Sequence, residues 1–304
     1  MRNLRTLFDI TPEEAVAILD RAADLKTQFT AGERPPLLQG HVLTQIFDKP
    51  SLRTRLSFDA AMVHLGGESS FYTGKDAGFK GRESLPDIAR VVSGFSDLVV
   101  IRTFSQDTIN EFCKWSSVPV INGLSDDFHP CQALTDFLTI REEFGGLSGQ
   151  RLVFVGDGNN VSASLCVLSG MLKQPMTLAV PKGYELPDEF LADVRRRFPH
   201  LDFTQTNDPI AAVKSADIIY TDVWASMGQE EESRIREAAF KDFQVNAELF
   251  SHAPSHAKFM HDLPAKRGLE VTDEIIDGPR SIVFRQAENR MHLAKGLLAW
   301  LLDK

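Results

Sequence analysis

At 304 residues the chain is long enough for two domains with cores of their own. Its 43% hydrophobic and 25% charged content excludes a disordered polypeptide, and a net charge of −9 argues against nucleic acid or an anionic membrane as partner. An anionic ligand would have to be drawn by a local basic pocket. Cys113, Cys131 and Cys166 form no Cys-x-x-Cys pair and are odd in number, which points to a reducing, cytoplasmic setting without a disulfide framework or structural zinc. The N-terminal MRNLRTLFDIT has no signal-peptide pattern, and the longest apolar run, Leu293 to Leu302, is too short to cross a bilayer.

Thr11-Pro12-Glu13-Glu14 reads as a capping box with proline at the first helical position, opening a helix to about Gln28 with Ala15, Val16, Leu19 and Ala22 inward. AGERPP follows as a loop. Val42 to Phe47 predicts a strand that stops at Lys49-Pro50. Ser51 is a good N-cap, and Phe58, Ala61, Met62 and Leu65 then mark one face of a helix closed by Gly66-Gly67. Ser51, Arg53, Thr54 and Arg55 therefore stand on a first helical turn, with free backbone N–H groups and the positive end of the helix dipole. Guanidiniums and hydroxyls added there, with the N–H of Leu52, make a phosphate-type anion site.

Residues 73–82, TGKDAGFKGR, read on composition as a mobile solvated loop, with Lys75 and Lys80 as its cations. Ser84-Leu85-Pro86-Asp87 caps a helix to about Ser93, and Asp97 to Ile101 is a strand. Arg102 stands at its carboxyl end, where ligands of open α/β sheets sit, though alone it also reads as a surface arginine. After a strand at Val118 to Asn122, His129-Pro130-Cys131-Gln132 opens a helix that ends at Gly145-Gly146, where a domain boundary falls. A single histidine at such a place is more often structural than catalytic. Cys131 reads as a small packing residue, since nothing nearby in sequence would lower its pKa.

Arg151 to Val155 is almost continuously apolar, as in a buried parallel sheet. The turn Gly156-Asp157-Gly158-Asn159-Asn160-Val161 invites a dinucleotide reading, which fails because Val161 stands where a third glycine is needed. Strands at Met176 to Val180, Phe203 to Gln205 and Asp217 to Thr221 alternate with helices at Pro187 to Phe198 and Pro209 to Ser215, the doubly wound manner. Asp222-Val223-Trp224-Ala225-Ser226-Met227-Gly228 occupies another strand carboxyl end, and with Glu230 to Glu232 also reads as a plain helix N-terminus. A strand at Lys258 to His261 runs into Asp262-Leu263-Pro264. The last helix, Gln286 to Leu302, begins with Glu288-Asn289-Arg290 and carries the apolar stripe Ala287, Met291, Ala294, Leu298 and Leu301.

Ser-x-Arg-Thr-Arg followed by Ser-Phe and Leu-Gly-Gly resembles the carbamoyl-phosphate signature of the aspartate/ornithine carbamoyltransferase family, with Leu52 in place of the usual threonine. His-Pro-x-Gln with Leu-x-Asp, Gly-Asp-x-x-Asn, Asp-x-x-x-Ser-Met-Gly and His-x-Leu-Pro follow in the family's order, so the resemblance runs from residue 4 to residue 302. It implies an α/β protein of two doubly wound parallel-sheet domains joined by interdomain helices. Residues 1–145 would form the carbamoyl-phosphate domain, 146–285 the ornithine domain, and 286–304 a C-terminal helix packing back on the first. Ser51, the Leu52 N–H, Arg53 and Thr54 would hold phosphate, with Lys75 or Lys80 reaching the neighbouring subunit's site. Arg102 would bridge phosphate and carbonyl, while His129, Gln132, Leu263 and Arg290 would face the carbamoyl group. Asn160, Asp222, Ser226 and Met227 would hold the amino acid, and Asp-x-x-x-Ser-Met-Gly favours ornithine over aspartate.

The implied reaction moves a carbamoyl group from phosphate to the side-chain amine of ornithine, giving citrulline and phosphate. It needs no metal or organic cofactor, and a homotrimer with shared sites is implied. Arg53, Arg102, His129, Asp262 and Arg290 would act on the reacting groups by positioning and charge stabilisation. Asp262 is the main departure, because the family has cysteine there. Beside Asp222 it would either hold the ammonium too tightly or share a proton and act as base, altering the pH optimum. Three other readings remain: a carbamoyltransferase for a modified ornithine or other amine, a non-catalytic carbamoyl-phosphate-binding paralogue, and, most distantly, an NAD-dependent oxidoreductase.

Overall fold

The structure, a computed structural model, describes residues 2–79, 81, 83–147, 149–225 and 232–304. Lys80, Ser226 and Met227 lie outside the described residues. The chain divides into two compact units, Met1–Leu138 with Glu288–Lys304, and Thr139–Ala287. The first contains α1 (Pro12–Thr30), β1 (Val42–Phe47), α2 (Leu52–His64), β2 (Glu68–Thr73), α3 (Leu85–Ser93), β3 (Leu98–Arg102), α4 (Gln106–Trp115) and β4 (Val120–Leu124). Helix α5 (Pro130–Phe144) carries the chain into the second. There follow β5 (Leu152–Val155), α6 (Asn160–Leu172), β6 (Met176–Ala179), α7 (Asp188–Arg197), β7 (Phe203–Thr206), α8 (Pro209–Val213) and β8 (Ile218–Thr221). Then come α9 (Ser233–Phe240), α10 (Ala247–Ser251), β9 (Lys258–His261) and α11 (Asp273–Ile276), and α12 (Val283–Leu301) returns the chain to the first unit.

Each unit holds one all-parallel sheet, in the orders β2-β1-β3-β4 and β7-β6-β5-β8-β9. Both are doubly wound, with the strand order reversing between β1 and β3 and again between β5 and β8. Ligands of such sheets bind beyond the strand carboxyl ends at that reversal. In the first unit Ile46, Val99, Ile101 and Val120 pack on Ile88, Ile109 and Phe112 from the helices. In the second, Val153, Val155 and Ile219 pack with Phe240, Phe243, Phe250 and Phe259. The polar residues inside β1 are satisfied locally: Gln45 donates to Asp59 at 2.7 Å and to Ser69 at 3.0 Å, and Thr44 shares a 2.6 Å hydrogen bond with Ser96.

The capping box at Thr11 and Glu14 forms, and the inward face of α2 is Phe58, Ala61 and Met62, with Leu65 just beyond it. Several elements are absent from the sequence reading, among them the short helices α10 and α11, strand β2 and helix α4. Strand β2 lies at the sheet edge with its Ser and Thr side chains half-exposed, so it lacks the apolar alternation that marks a strand. Helix α4 buries little beyond Gln106, Ile109 and Phe112, too sparse a pattern to signal itself. Helix α12 begins at Val283, nearly two turns before Arg290, rather than at Gln286. The first part of the glycine-rich loop is folded rather than a free tether. Ala77 N–H donates to the Thr73 carbonyl at 2.9 Å, Phe79 N–H to that of Gly74 at 2.9 Å, and Asp76 accepts both the N–H and the hydroxyl of Thr73.

Helices α1 and α12 meet backbone to backbone at Gly296, where an added Cβ would stand 2.6 to 2.8 Å from Ala22. Gly296→Ala is expected to push the helices apart and cost about 1–3 kcal/mol, the usual penalty of overpacking. Urea unfolding of the two proteins would measure it.

Candidate active site

In the first unit the anion cradle forms where the strand order reverses. Ser51 caps α2 by accepting the Thr54 N–H at 3.2 Å, which leaves its hydroxyl proton to donate. Arg53 is half-buried and Thr54 fully buried on the same turn. Arg55 is turned elsewhere: it stacks on the Phe71 ring at 3.8 Å and lies 3.6 Å from Asp59, so its role is structural. Arg102 ends β3 and is buried. Lys75 is exposed on its turn.

His129 is buried directly before α5. Burial, then the charges of Arg290 and Arg102, hold its pKa well below the ordinary histidine range. The ring is therefore neutral at physiological pH, with one N–H to give and no proton to lose. Arg290 comes from α12, far away in sequence. It donates to the Gln132 side-chain oxygen and, at 2.8 Å, to the Thr54 hydroxyl, while Gln132 donates to Asp136 at 2.8 Å. A buried polar chain thus joins α5, α12 and the cradle helix. The Gln132 oxygen already accepts from Arg290, so any further contact uses its second lone pair. Sequence reasoning missed Asp136 as the end of this chain. It also missed Lys49, which is buried, pairs with Asp126 three residues before His129, and lies 4.4 Å over the Phe104 ring.

Cys131 is buried, and burial pushes its thiol up to about 12, as it does that of Cys166. Its Sγ–H donates to the Asn122 carbonyl at 3.4 Å, a packing role.

In the second unit the matching reversal gathers Asn159 and Asn160 after β5 with Asp222 after β8. Gly158 permits this turn: an added Cβ would lie 2.5 Å from the Tyr184 carbonyl oxygen. Asn160 is the first residue of α6, while Asn159, unassigned from sequence, caps α6 and donates to Asp222 Oδ2 at 2.8 Å. Asp222 Oδ1 accepts the Val223 N–H at 2.7 Å. Asp157 on the same turn is buried against Arg236 at 2.6 Å, and Arg236 also donates to the Trp224 carbonyl at 3.0 Å.

Strands β8 and β9 pair with Thr221 opposite His261, so Asp222 and Asp262 leave neighbouring strands side by side. Burial, then the Asp262 charge, pushes the pKa of Asp222 well above the ordinary carboxylate range, and the two carboxyls are hydrogen-bonded. No ligand cluster stands out in the sequence, yet Asp222, His261 and Asp262 each offer an atom within 4.8 Å of the others. These are metal-ligating residue types, but the imidazole is already committed. Its Nδ1 accepts the Leu263 N–H at 2.9 Å and its Nε2 faces Glu270 at 3.1 Å, so the ring presents no spare lone pair. Burial works against charging His261, and hydrogen bonds to Asp262 and Glu270 outweigh it, raising the ring's pKa to about 9. The Leu263 N–H contact at Nδ1 therefore belongs to the ring's neutral form, with its proton on Nε2, and charging the ring would turn Nδ1–H toward Asp262 instead. Leu263 itself has φ +59° and precedes a cis peptide to Pro264.

A parallel-sheet unit with a guanidinium-lined cradle at a helix N-terminus, and a second with a carboxyl–amide cluster at its own, define a two-domain α/β protein that takes an anion on one and a cationic ligand on the other. Family profiles extend this. The carbamoyl-P binding domain of aspartate/ornithine carbamoyltransferases matches residues 2–142, and the Asp/Orn binding domain matches 148–301. The ornithine carbamoyltransferase of Pyrococcus abyssi is 47% identical over 99% of this chain and 96% of its own, and that of Bacillus subtilis 46% over 100% and 94%. The solved ornithine carbamoyltransferase from Pyrococcus furiosus superposes with a TM-score of 0.95 at 45% identity, covering 98% of this chain and 96% of that one. The chain belongs to the aspartate/ornithine carbamoyltransferase family.

Burial of the Cys131 and Cys166 thiols gives a direct check. Both are expected to stay unmodified by a thiol reagent in the folded protein near pH 8 and to react promptly in urea, since only thiolate is nucleophilic. Thiol counting by mass spectrometry reads the result.

Proposed function

We infer that this chain transfers the carbamoyl group of carbamoyl phosphate to the side-chain amine of L-ornithine, giving L-citrulline and phosphate. The observation that carries this is the buried constellation of His129, Gln132 and Arg290 joined to the Thr54 turn, in a chain whose relatives are named ornithine carbamoyltransferases over their full length.

In this reading Ser51, the Leu52 N–H, Arg53 and Thr54 hold phosphate, aided by Lys75 or Lys80, and Arg102 bridges to the carbonyl. His129, kept neutral, donates to the carbonyl oxygen, where negative charge grows as the amine adds. Gln132 and Leu263 orient the carbamoyl amide, and Arg290 holds Gln132 and Thr54 in register. Asn160, Asp222, Ser226 and Met227 hold ornithine. Catalysis is by placement and by donors fixed before reaction, with no covalent enzyme intermediate.

The assembly we propose is a homotrimer acting in the cytoplasm. Leu52, Leu56 and Val63 lie on one stripe of α2, exposed to 69%, 55% and 65%, and Tyr72 on edge strand β2 is 48% exposed. A contiguous apolar stripe and a bare sheet edge of this kind favour burial against a second copy. Among the described residues no helix is long and apolar enough to cross a membrane.

The test is product analysis with carbamoyl phosphate and L-ornithine, N-acetylornithine, putrescine or aspartate. Citrulline from L-ornithine, with little product from the others, is expected, and a preference for any other amine would overturn the assignment. Arg290→Lys keeps the charge but loses the two-pronged contact, and should lower kcat by about 10²-fold, the scale of losing one preorganised donor. Separately, Leu52→Glu with Leu56→Glu should shift the sedimentation coefficient from that of a trimer to that of a monomer.

A further inference from the structure

Within the first unit, the far end of α2 meets α1 and α12 in a group of basic side chains that no role above uses. The cradle opens α2 at Thr54 and His64 closes it, about 15 Å along the helix. Four basic groups surround the ring of Phe29. The Arg34 guanidinium lies 3.6 Å from its centroid and Lys295 Nζ 4.5 Å. The imidazoles of His64 and His292 lie 5.0 and 5.1 Å from it. Lys26, on the same helix as Phe29, donates to Asn289 at 2.7 Å. The carbonyls of Phe29 and Glu33 hold the Arg34 guanidinium over the ring, at 3.0 and 2.8 Å.

Polar groups inside a protein are normally partnered, and here they are not. His292 is fully buried, and neither of its ring nitrogens has a hydrogen-bond partner. Nδ1 of His64 is buried without one too. Lys295 is buried with a long 3.3 Å hydrogen bond to the Leu25 carbonyl and the face of Phe29 for company. Glu288 comes within 3.6 Å of His292 Nε2, past hydrogen-bond reach, and its side chain is 57% exposed. The cations prevail over it. Burial, then Lys295, Lys26, His64 and Arg34, holds His292 down to about 3. Burial, then Arg34 and Lys26, lowers Lys295 to about 8. His64 is lowered by burial, then by Lys295 and Arg34. An aromatic face offsets such charge only weakly.

We propose that Lys26, Arg34, His64, His292 and Lys295 form a second oxyanion site, for a ligand of the phosphate class, separate from the Ser51–Thr54 cradle. It does not depend on the reaction assigned above.

The donors come from α1, the loop after it, α2 and α12, and so approach from several directions. That suits a tetrahedral oxyanion, whose oxygens point several ways, better than a planar carboxylate. Arg34 is exposed and Phe29 half-buried, so the ring's outer side is open to solvent. A neutral His292 gives one N–H to such a ligand, and a protonated one gives two. The anion also favours the charged form of every group that the neighbouring cations now oppose. Binding therefore draws protons onto Lys295 and the imidazoles, and by linkage it tightens as the pH falls. Inorganic phosphate and phosphate monoesters share the chemistry required.

The probe is sulfate, which stays a dianion throughout the pH range used. It is titrated into histidine-labelled protein and followed by NMR of the ring signals. Because the cradle is itself an anion site, Arg53→Ala is titrated alongside the unaltered chain. In both proteins the His64 and His292 signals are expected to move, and the His64 midpoint to rise by at least ~0.5 pH units. Affinity should be at least ~10-fold higher near pH 6 than near pH 9. Arg34→Glu, an exposed change, and Lys295→Met should each weaken binding at least ~10-fold, with thermal melting in the absence of anion showing that both are folded. Inorganic phosphate and glycerol 3-phosphate form two further arms. Phosphate binding alone would support a free anion as the ligand, and glycerol 3-phosphate binding at least as tightly would support a monoester. Sulfate binding that leaves the His64 and His292 signals in place, or that persists in Arg34→Glu and Lys295→Met, would overturn the proposal. So would failure of all three anions to bind Arg53→Ala.

Discussion

Parallel strands all present their carboxyl ends at one edge, and every candidate residue in this protein depends on that constraint. Where the strand order reverses, consecutive helices leave toward opposite faces of the sheet and cannot cover the strand ends between them. In the first unit the reversal lies between β1 and β3, with Ser51 to Thr54 following one and Arg102 ending the other. In the second it lies between β5 and β8, with Asn159 and Asn160 following one and Asp222 the other. The topology is shared and the chemistry is opposite. The first crevice is furnished with guanidiniums at a helix N-terminus, the second with carboxyls and amides. A chain of net charge −9 can therefore take an anion, because the field that matters is the local one in a low-dielectric crevice.

Burial supplies the rest of the first unit's chemistry. His129, Gln132, Asp136, Thr54 and Arg290 all lie inside, and polar groups inside must be partnered or become costly. The answer is a chain from Asp136 through Gln132 and Arg290 to Thr54 that fixes each rotamer through its neighbours. His129 is the neutral member. Charging it would place a third cation beside Arg290 and Arg102 away from water, so those two arginines keep the imidazole neutral.

Local signals carried much of this into the sequence. A strand, an N-cap serine and a periodic apolar face located the cradle, and the apolar run of β5 with its glycine turn located the second crevice. The signals that failed are those that depend on long-range pairing. Strand β2 is an edge strand of Ser, Phe, Tyr and Thr with no apolar period, and because Phe71 lies on it, the direction of Arg55 could not be seen either. Lys49 and Asp126 read as ordinary surface charges until the fold brings them together. Between Asn159 and Asn160 the sequence offers no choice, since both are polar residues on one turn. The helix start gives Asn159 the capping position and the contact to Asp222.

Register is the least legible quantity of all. The β8–β9 pairing places Asp222 and Asp262 together, and a slip of one residue would turn one of them to the other face of the sheet. Nothing in either segment alone announces this. Two adjacent carboxylates, Asp222 buried and Asp262 partly so, would repel each other if both were ionised. The Asn159 amide and the Val223 N–H stabilise charge on Asp222, while burial and the Asp262 charge hold its pKa well above the ordinary carboxylate range. A group whose empty state favours a proton and whose occupied state receives a cation couples ligand binding to proton movement, whichever cation enters. For a ligand that arrives as an ammonium and must react as an amine, that coupling runs in the useful direction.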